Sequence, residues 1–164
     1  MPEHGQLFTA ATSRCELKEV FNPHTSNLDA LSAAEIRIQN STSPPFAFEG
    51  EEVLLFNLGS ALTARVDGKD YELAHYDVLY VPLNKGFKLT HGGDDPGHVY
   101  AYRASGTEVH PVFHSSYADA QKNEERIRHL HRKVVYKMFD VSEGANKFMA
   151  GDTLFDEPNR ARAH

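Results

Sequence analysis

Residues 49–103 constrain the chain more than any other stretch. They read EGEEVLLFNLGSALTARVDGKDYELAHYDVLYVPLNKGFKLTHGGDDPGHVYAYR. Short apolar runs rich in Val, Leu, Tyr and Phe alternate with turn residues at near-regular intervals. That is the pattern of a small antiparallel β-barrel or sandwich, and it is too densely punctuated for helices. Residues 53–58 are apolar except for Asn57, as in a strand buried on both faces. Gly59-Ser60 ends that run. Residues 61–66 then alternate, with Leu62, Ala64 and Val66 on one side and Ala61, Thr63 and Arg65 on the other. Asp67-Gly68 is the strongest hairpin signal in the sequence, because a type I′ turn needs positive φ and glycine tolerates it. Residues 69–73, 77–81, 87–91 and 98–104 supply further strands, divided by a turn at 82–86 and a loop at 92–97, for a meander of about six.

The flanks are less regular. Residues 1–13 are small and polar and read as flexible. Residues 14–21 alternate loosely and predict an outer strand ending at Asn22-Pro23. Residues 28–34 read as a connector with room for one helical turn. Residues 34–39 place Ile36 and Ile38 on one face against Glu35, Arg37 and Gln39, a half-buried strand. After the barrel, residues 105–113 read as a loop or extended arm. Ser116 followed by Asp119 predicts a helix N-terminus, the hydroxyl accepting a backbone N–H and the acid favouring the positive end of the dipole. The helix is expected from about residue 117 to about 126, with too little apolar surface to be more than a surface linker. Residues 134–139 predict a strand, 142–145 a turn, 147–155 one more strand or a pair of short ones, and 157–164 a polar end.

The barrel stretch also carries a resemblance. Glu52, six residues, then Gly59 is similar to the second half of the first cupin motif, and Asp77-x4-Pro82-x3-Gly86 to a degenerate second motif. The phrases VDGKDYELAHYDVLYVP and HRKVVYKMF resemble the first domain and the inter-domain passage of the two-cupin sugar-acid isomerases, the 5-keto-4-deoxyuronate and 5-deoxy-glucuronate isomerases. The resemblance runs from Phe46 to the C-terminus. It implies an all-β chain: a cupin-like antiparallel β-barrel (jelly roll) with one short linker helix and trailing strands. It also implies a division into an N-terminal arm and metal-free barrel (1–110), a linker with the helix (111–132), and the entry strands of an incomplete second cupin (133–164). In that group a Pro-Pro-His-x-His metal motif follows this passage, and His164 would fall just before it.

A metal-dependent cupin needs two histidines at i and i+2 on a strand, so that both point into the barrel, followed by a carboxylate and a distant histidine. The positions upstream of Glu52 hold Pro44, Pro45, Phe46, Ala47 and Phe48, none of which ligates a metal. No metal site is therefore expected in this barrel, and Glu52 reads first as a hydrogen-bonded strand-entry residue. Two other histidine pairs carry little. His110 and His114 have helical spacing, but Pro111 lies between them. His129 and His131 follow a charged run with no carboxylate at suitable spacing before Asp140. Arg126, Arg128, His129, His131, Arg132 and Lys133 read as a solvated basic linker able to grip an anionic surface. A sugar-acid pocket inside the barrel has Glu52, Tyr80, Lys88, His91, Tyr100 and Tyr102 as candidates. The tyrosines and His91 would meet polyol hydroxyls, and Lys88 a carboxylate. The competing reading is that tyrosines of antiparallel strands pack as cross-strand pairs. No catalytic residue is assignable, and no nucleophile elbow, phosphate-cradling glycine loop or CxxC motif is present.

Composition bounds the rest. A net charge of −6 argues against nonspecific nucleic-acid binding, which needs a basic face. Cys15 is the single cysteine, so no internal disulfide can form. The first residues lack the apolar core of a leader, and no run approaches the roughly 18 apolar residues that span a bilayer, so a cytoplasmic protein without membrane contact is expected. By resemblance the whole protein would be an intramolecular aldose–ketose isomerase acting on a uronate. Its divalent metal, zinc, would sit in the second cupin, with no cofactor in this chain and no turnover from these 164 residues alone. Two alternatives stand beside it: a metal-free cupin module binding sugar acids or a protein, and a stand-alone metal cupin assembled from scattered histidines. A homo-oligomer paired through open strand edges is expected in any of these.

Overall fold

The computed structural model describes residues 9–12, 14–144 and 147–155; the polar end expected over 157–164 and most of residues 1–13, read above as flexible, lie outside them. In chain order the described elements begin with β1 (Thr9–Thr12), β2 (Cys15–Phe21), β3 (Leu31–Ile38) and β4 (Ser41–Thr42). The central stretch supplies β5 (Glu51–Asn57), β6 (Leu62–Val66), β7 (Lys69–Leu73), β8 (Val78–Val81), β9 (Phe87–His91) and β10 (Gly97–Ser105). Then come β11 (Phe113–Ser115), helix α1 (Tyr117–Ala120), a 3-10 turn (Glu124–Arg126), β12 (Ile127–Leu130), β13 (Lys133–Phe139), a second 3-10 turn (Val141–Glu143) and β14 (Ala150–Phe155).

Three antiparallel sheets result. One has the order β1-β2-β3-β10-β5-β8-β11, a second β4-β9-β6-β7, and a third β12-β13-β14. From β5 to β10 the chain shuttles between the first two sheets, and within that stretch only β6–β7 is a local hairpin. Its turn is the expected one, with Asp67 at φ 51° and Gly68 at φ 79°. The six strands are therefore not a meander. They close two sheets over one core in jelly-roll fashion.

The period of two decides what enters that core. Leu17 of β2, Ile36 and Ile38 of β3, Leu55 of β5, Leu79 of β8 and Leu89 of β9 are buried between the two sheets. Each side chain of this size contributes on the order of 1.5–3 kcal/mol when removed from water. The outer face of the seven-stranded sheet forms a second core. Leu54, Val78, Tyr80 and Ala104 pack there against Ala120, Met138, Phe139 and Phe148. Tyr80 and Phe139 stack with centroids 5.0 Å apart, and Phe113 lies 5.7 Å from Phe139. β5 and β8 are thus covered on both faces, as the apolar run at 53–58 predicts.

Several local expectations change. The helix expected over about ten residues is four residues long. Ser116 does cap it, accepting the Asp119 N–H at 3.4 Å. A helix with so narrow an apolar stripe lacks the packing that sustains longer ones, and the chain turns instead into β12. Residues 127–130, read as linker, are a strand paired with β13, because tertiary pairing outweighs the helical look of a charged run. Residues 31–34, read as a connector, open β3: Ala33 and Ala34 are successive strand residues, both buried, on opposite faces. The strand expected over 134–139 is flanked on both sides, by β12 and β14.

Candidate functional site

The alternation of each strand determines which groups face the barrel interior. Val99, Ala101 and Arg103 of β10 point inward; Tyr100 and Tyr102 point to the outer face, where Tyr102 packs against the second core. Leu79 and Val81 of β8 likewise point inward and Tyr80 outward. The six candidates for a sugar pocket therefore do not meet in one cavity. Tyr100 and Tyr102 lie together on the outer face, rings 6.1 Å apart and nearly parallel, as i, i+2 neighbours of one strand and not as the cross-strand pair that the packing alternative expects. Burial, and secondarily Tyr100, raises the Tyr102 hydroxyl above its ordinary pKa. Lys88 is exposed on the outside of the four-stranded sheet.

His91 is the inward-facing member of the six, and both of its ring nitrogens are used. Its Nδ1 accepts the Gly93 N–H at 3.3 Å, which leaves Nε2 to donate to Ser60 Oγ at 2.7 Å; Ser60 in turn donates to the Asp95 carbonyl at 3.0 Å. This imidazole ties the 92–97 loop to the end of β5. Asn57 does similar work nearby, donating to the carbonyls of Leu73 and Ala74 at 2.9 and 3.0 Å.

Glu52 and Tyr80 are brought together. The Tyr80 hydroxyl donates to Glu52 Oε2 at 2.7 Å, and each residue is 1% exposed, with Phe139 stacked over the tyrosine. Burial first and Glu52 second raise the Tyr80 pKa. Glu52 Oε1 has no hydrogen-bond partner. Such a pair pins two strands under the C-terminal segment, which fits the strand-entry reading of Glu52.

Two polar clusters escaped the sequence reading. At one end of the barrel Arg103 pairs with Glu19 and, at 2.8 Å, with Glu51; the Phe48 ring lies 4.4 Å from its guanidinium. The signal for this cluster was available in parity: Arg103 continues the inward series Val99, Ala101, and Glu19 continues Cys15, Leu17. The second cluster centres on Asp77. Its carboxylate accepts from Ala74 N at 2.9 Å, Tyr117 N at 2.8 Å and His114 Nε2 at 3.3 Å. Burial alone would raise this carboxyl, but these donors hold it below the usual carboxylate value. Asp77 thus fastens α1 and β11 to the start of β8.

The resemblance to metal-binding barrels invites a test for metal. The positions that a ligand pair would occupy hold Phe46, which bridges to Phe87 with rings 5.5 Å apart, and Phe48, which lies against Arg103. Among the described residues no three His, Cys, Asp or Glu side chains converge on a common point. The donor set does not fit a cupin metal. The outer face does hold a recess of about 300 Å³, between Leu31, Leu54, Phe56 and Tyr102 of the sheet and the segment from Phe148 to Gly151. Among the described residues no helix is long and apolar enough to cross a membrane.

No protein-family model matches the sequence, and no curated protein does either. Solved structures do match. A glyoxylate-induced protein from Pseudomonas aeruginosa superposes with a TM-score of 0.67 at 15% identity, over 90% of this chain and 59% of that one. The protein YlbA from E. coli gives 0.60 at 13% identity, over 85% and 60%. The cupin domain of Cnp3 from Schizosaccharomyces pombe gives 0.50 at 12% identity, over 62% and 69%. The chain spans about three-fifths of the length of the first two. At these identities the likeness is one of fold: the chain is an all-β cupin barrel.

Proposed function

We propose that this chain is the metal-free, non-catalytic cupin barrel of a two-cupin sugar-acid isomerase, acting as scaffold and docking partner for a catalytic second barrel. The observation that carries this reading is the filled barrel interior, where Phe46 and the aliphatic core stand in place of metal ligands. Aldose–ketose isomerisation moves a proton between adjacent carbons through an enediol and needs an accessible base. The groups with the chemistry to serve are engaged here: His91 with Ser60 and Gly93, Glu52 with Tyr80, Asp77 with three donors. The sheet β12-β13-β14 covers part of the outer face of the seven-stranded sheet and leaves Leu130, Leu154 and Phe155 exposed, apolar surface suited to a further domain. The same reading expects zinc in the second barrel and a cytoplasmic homo-oligomer.

The test reads the source DNA onward from the codon for His164 and assays both the 164-residue chain and any continuous longer product for conversion of a 5-keto-4-deoxyuronate. The expected result is turnover from the longer product only. Turnover by the short chain alone would overturn the reading. Saturable sugar-acid binding without turnover, with a stop codon after His164, would replace it with a binding module.

A further inference from the structure

One cluster of titratable and aromatic groups is used by nothing described so far. It lies where the turn between β7 and β8 meets α1 and the third sheet. Tyr76 sits at φ 69°, a left-handed backbone uncommon outside glycine, and its N–H is fastened to the Asn57 carbonyl at 2.7 Å. Tyr117, the first residue of α1, packs edge-on against Tyr76 at 5.4 Å and against Tyr136 of β13 at 5.5 Å. The Asp77 carboxylate holds the Tyr117 backbone, so these rings are preorganised. His75 lies 3.8 Å from the Tyr76 ring, its Nδ1 3.1 Å from the Gly59 carbonyl.

The β14 strand adds a carboxylate. Asp152 stands opposite Tyr136 in the ladder. Gly151 permits that approach, since a Cβ there would lie 2.7 Å from the Tyr136 carbonyl oxygen. Asp152 Oδ2 is withdrawn from solvent and has no hydrogen-bond partner. Burial pushes this carboxyl up to about 6 despite the opposing pull of His75. The Tyr117 hydroxyl is raised by burial first and then by Asp152. The groups nearest Asp152 are thus His75, Tyr117 and Tyr136, with Tyr76 completing the cluster through His75 and Tyr117. The three tyrosines and Asp152 are all half-buried, and His75 beside them is exposed.

We propose that Tyr76, Tyr117, Tyr136 and Asp152 form a binding site for a small alkylammonium cation. An N–H of the ammonium donates to the unpartnered Asp152 Oδ2, and its alkyl group lies on the tyrosine faces, whose negative quadrupoles attract cations. Both halves are needed. A charge-assisted hydrogen bond supplies the partner this oxygen lacks, and the rings exclude the hydrated inorganic cations that would compete for a bare carboxylate.

The probe is methylammonium chloride, titrated into the purified chain at neutral pH while the Asp152 side-chain carboxyl is followed by carbon-13 NMR. Sodium chloride at equal ionic strength is the reference. The expected result is a saturable shift with methylammonium only, together with an Asp152 titration midpoint that falls from about 6 as the cation is added. Asp152→Asn, a neutral isostere that keeps the fold, should weaken binding about tenfold or more. Tyr117→Leu should weaken binding severalfold while the Asp152 signal still titrates. Equal shifts with sodium and methylammonium, or undiminished methylammonium binding by Asp152→Asn, would overturn the proposal.

Discussion

Removing the Tyr80 hydroxyl should destabilise the chain by about 1–3 kcal/mol, towards the upper end of what an unsatisfied buried group costs. Tyr80→Phe deletes one oxygen and leaves the stack on Phe139 intact. The lost contact is the 2.7 Å bond to Glu52 Oε2, and Glu52 Oε1 already lacks a partner. With Glu52 1% exposed, water cannot take the hydroxyl's place without opening the second core. Glu52→Leu should cost less, because it removes the carboxylate along with its desolvation, although it strands the Tyr80 hydroxyl. The double variant Tyr80→Phe/Glu52→Leu replaces both polar partners by apolar groups and should lie close to the parent. The coupling energy from the cycle should therefore approach the sum of the two single-variant losses, and so exceed the loss of Tyr80→Phe alone. Urea unfolding at 25 °C measures it, provided the denaturant slope is unchanged among the four proteins. If Tyr80→Phe stays within about 0.5 kcal/mol of the parent, a value typical of changes at uncritical sites, the pair is not a structural pin. The ligand-binding role for Glu52 and Tyr80 would then regain its place.

Two further outcomes follow from the same cores. Phe139→Ala should cost about 3–5 kcal/mol, since the ring fills the space between Tyr80 and Phe113; fluorescence and circular dichroism should still report one coincident transition, whereas early loss of the C-terminal strands would mean that they are not part of the fold. Asp152→Asn should raise stability at neutral pH by about 1–2 kcal/mol, a value discounted for partial solvent screening. The sign follows from the raised carboxyl: the folded chain holds the Asp152 proton up to about pH 6, the unfolded chain only to the ordinary aspartate value of 3.8, so the penalty grows across that window and is complete above it. The advantage of the variant should vanish below the lower value, as urea midpoints at acid and neutral pH would report.

Much of the barrel was legible because local chemistry and global packing agree there. Asp67-Gly68 makes the turn its residues favour, and the Leu62, Ala64, Val66 series faces the core that its alternation implies. Strand order was not legible, because nothing local distinguishes a meander from a chain that crosses between sheets at each turn. Ala33 and Ala34 misled for a related reason: small residues look like a connector until pairing with β2 and β10 makes them a buried strand. Residues 127–130 look like charged helix or linker, and only the presence of β13 makes them a strand. Among the site candidates, parity along β8 and β10 was a signal left unused: it separates Tyr80, Tyr100 and Tyr102 from the inward positions, and it makes Arg103 and Glu19 inward charges needing partners. Asp152 carried no such signal. Its neighbourhood is assembled from the 75–77 turn, α1, β13 and β14, segments that no local pattern brings together.

The filled barrel is tested most directly by metal stoichiometry. The purified 164-residue chain would be reconstituted with zinc, iron or manganese, desalted, and analysed by inductively coupled plasma mass spectrometry. A metal-free scaffold retains well below one ion per chain with each metal. One tightly held ion per chain, lost on His91→Ala, would contradict it, because that imidazole would then be a ligand and not the tie between Ser60 and Gly93.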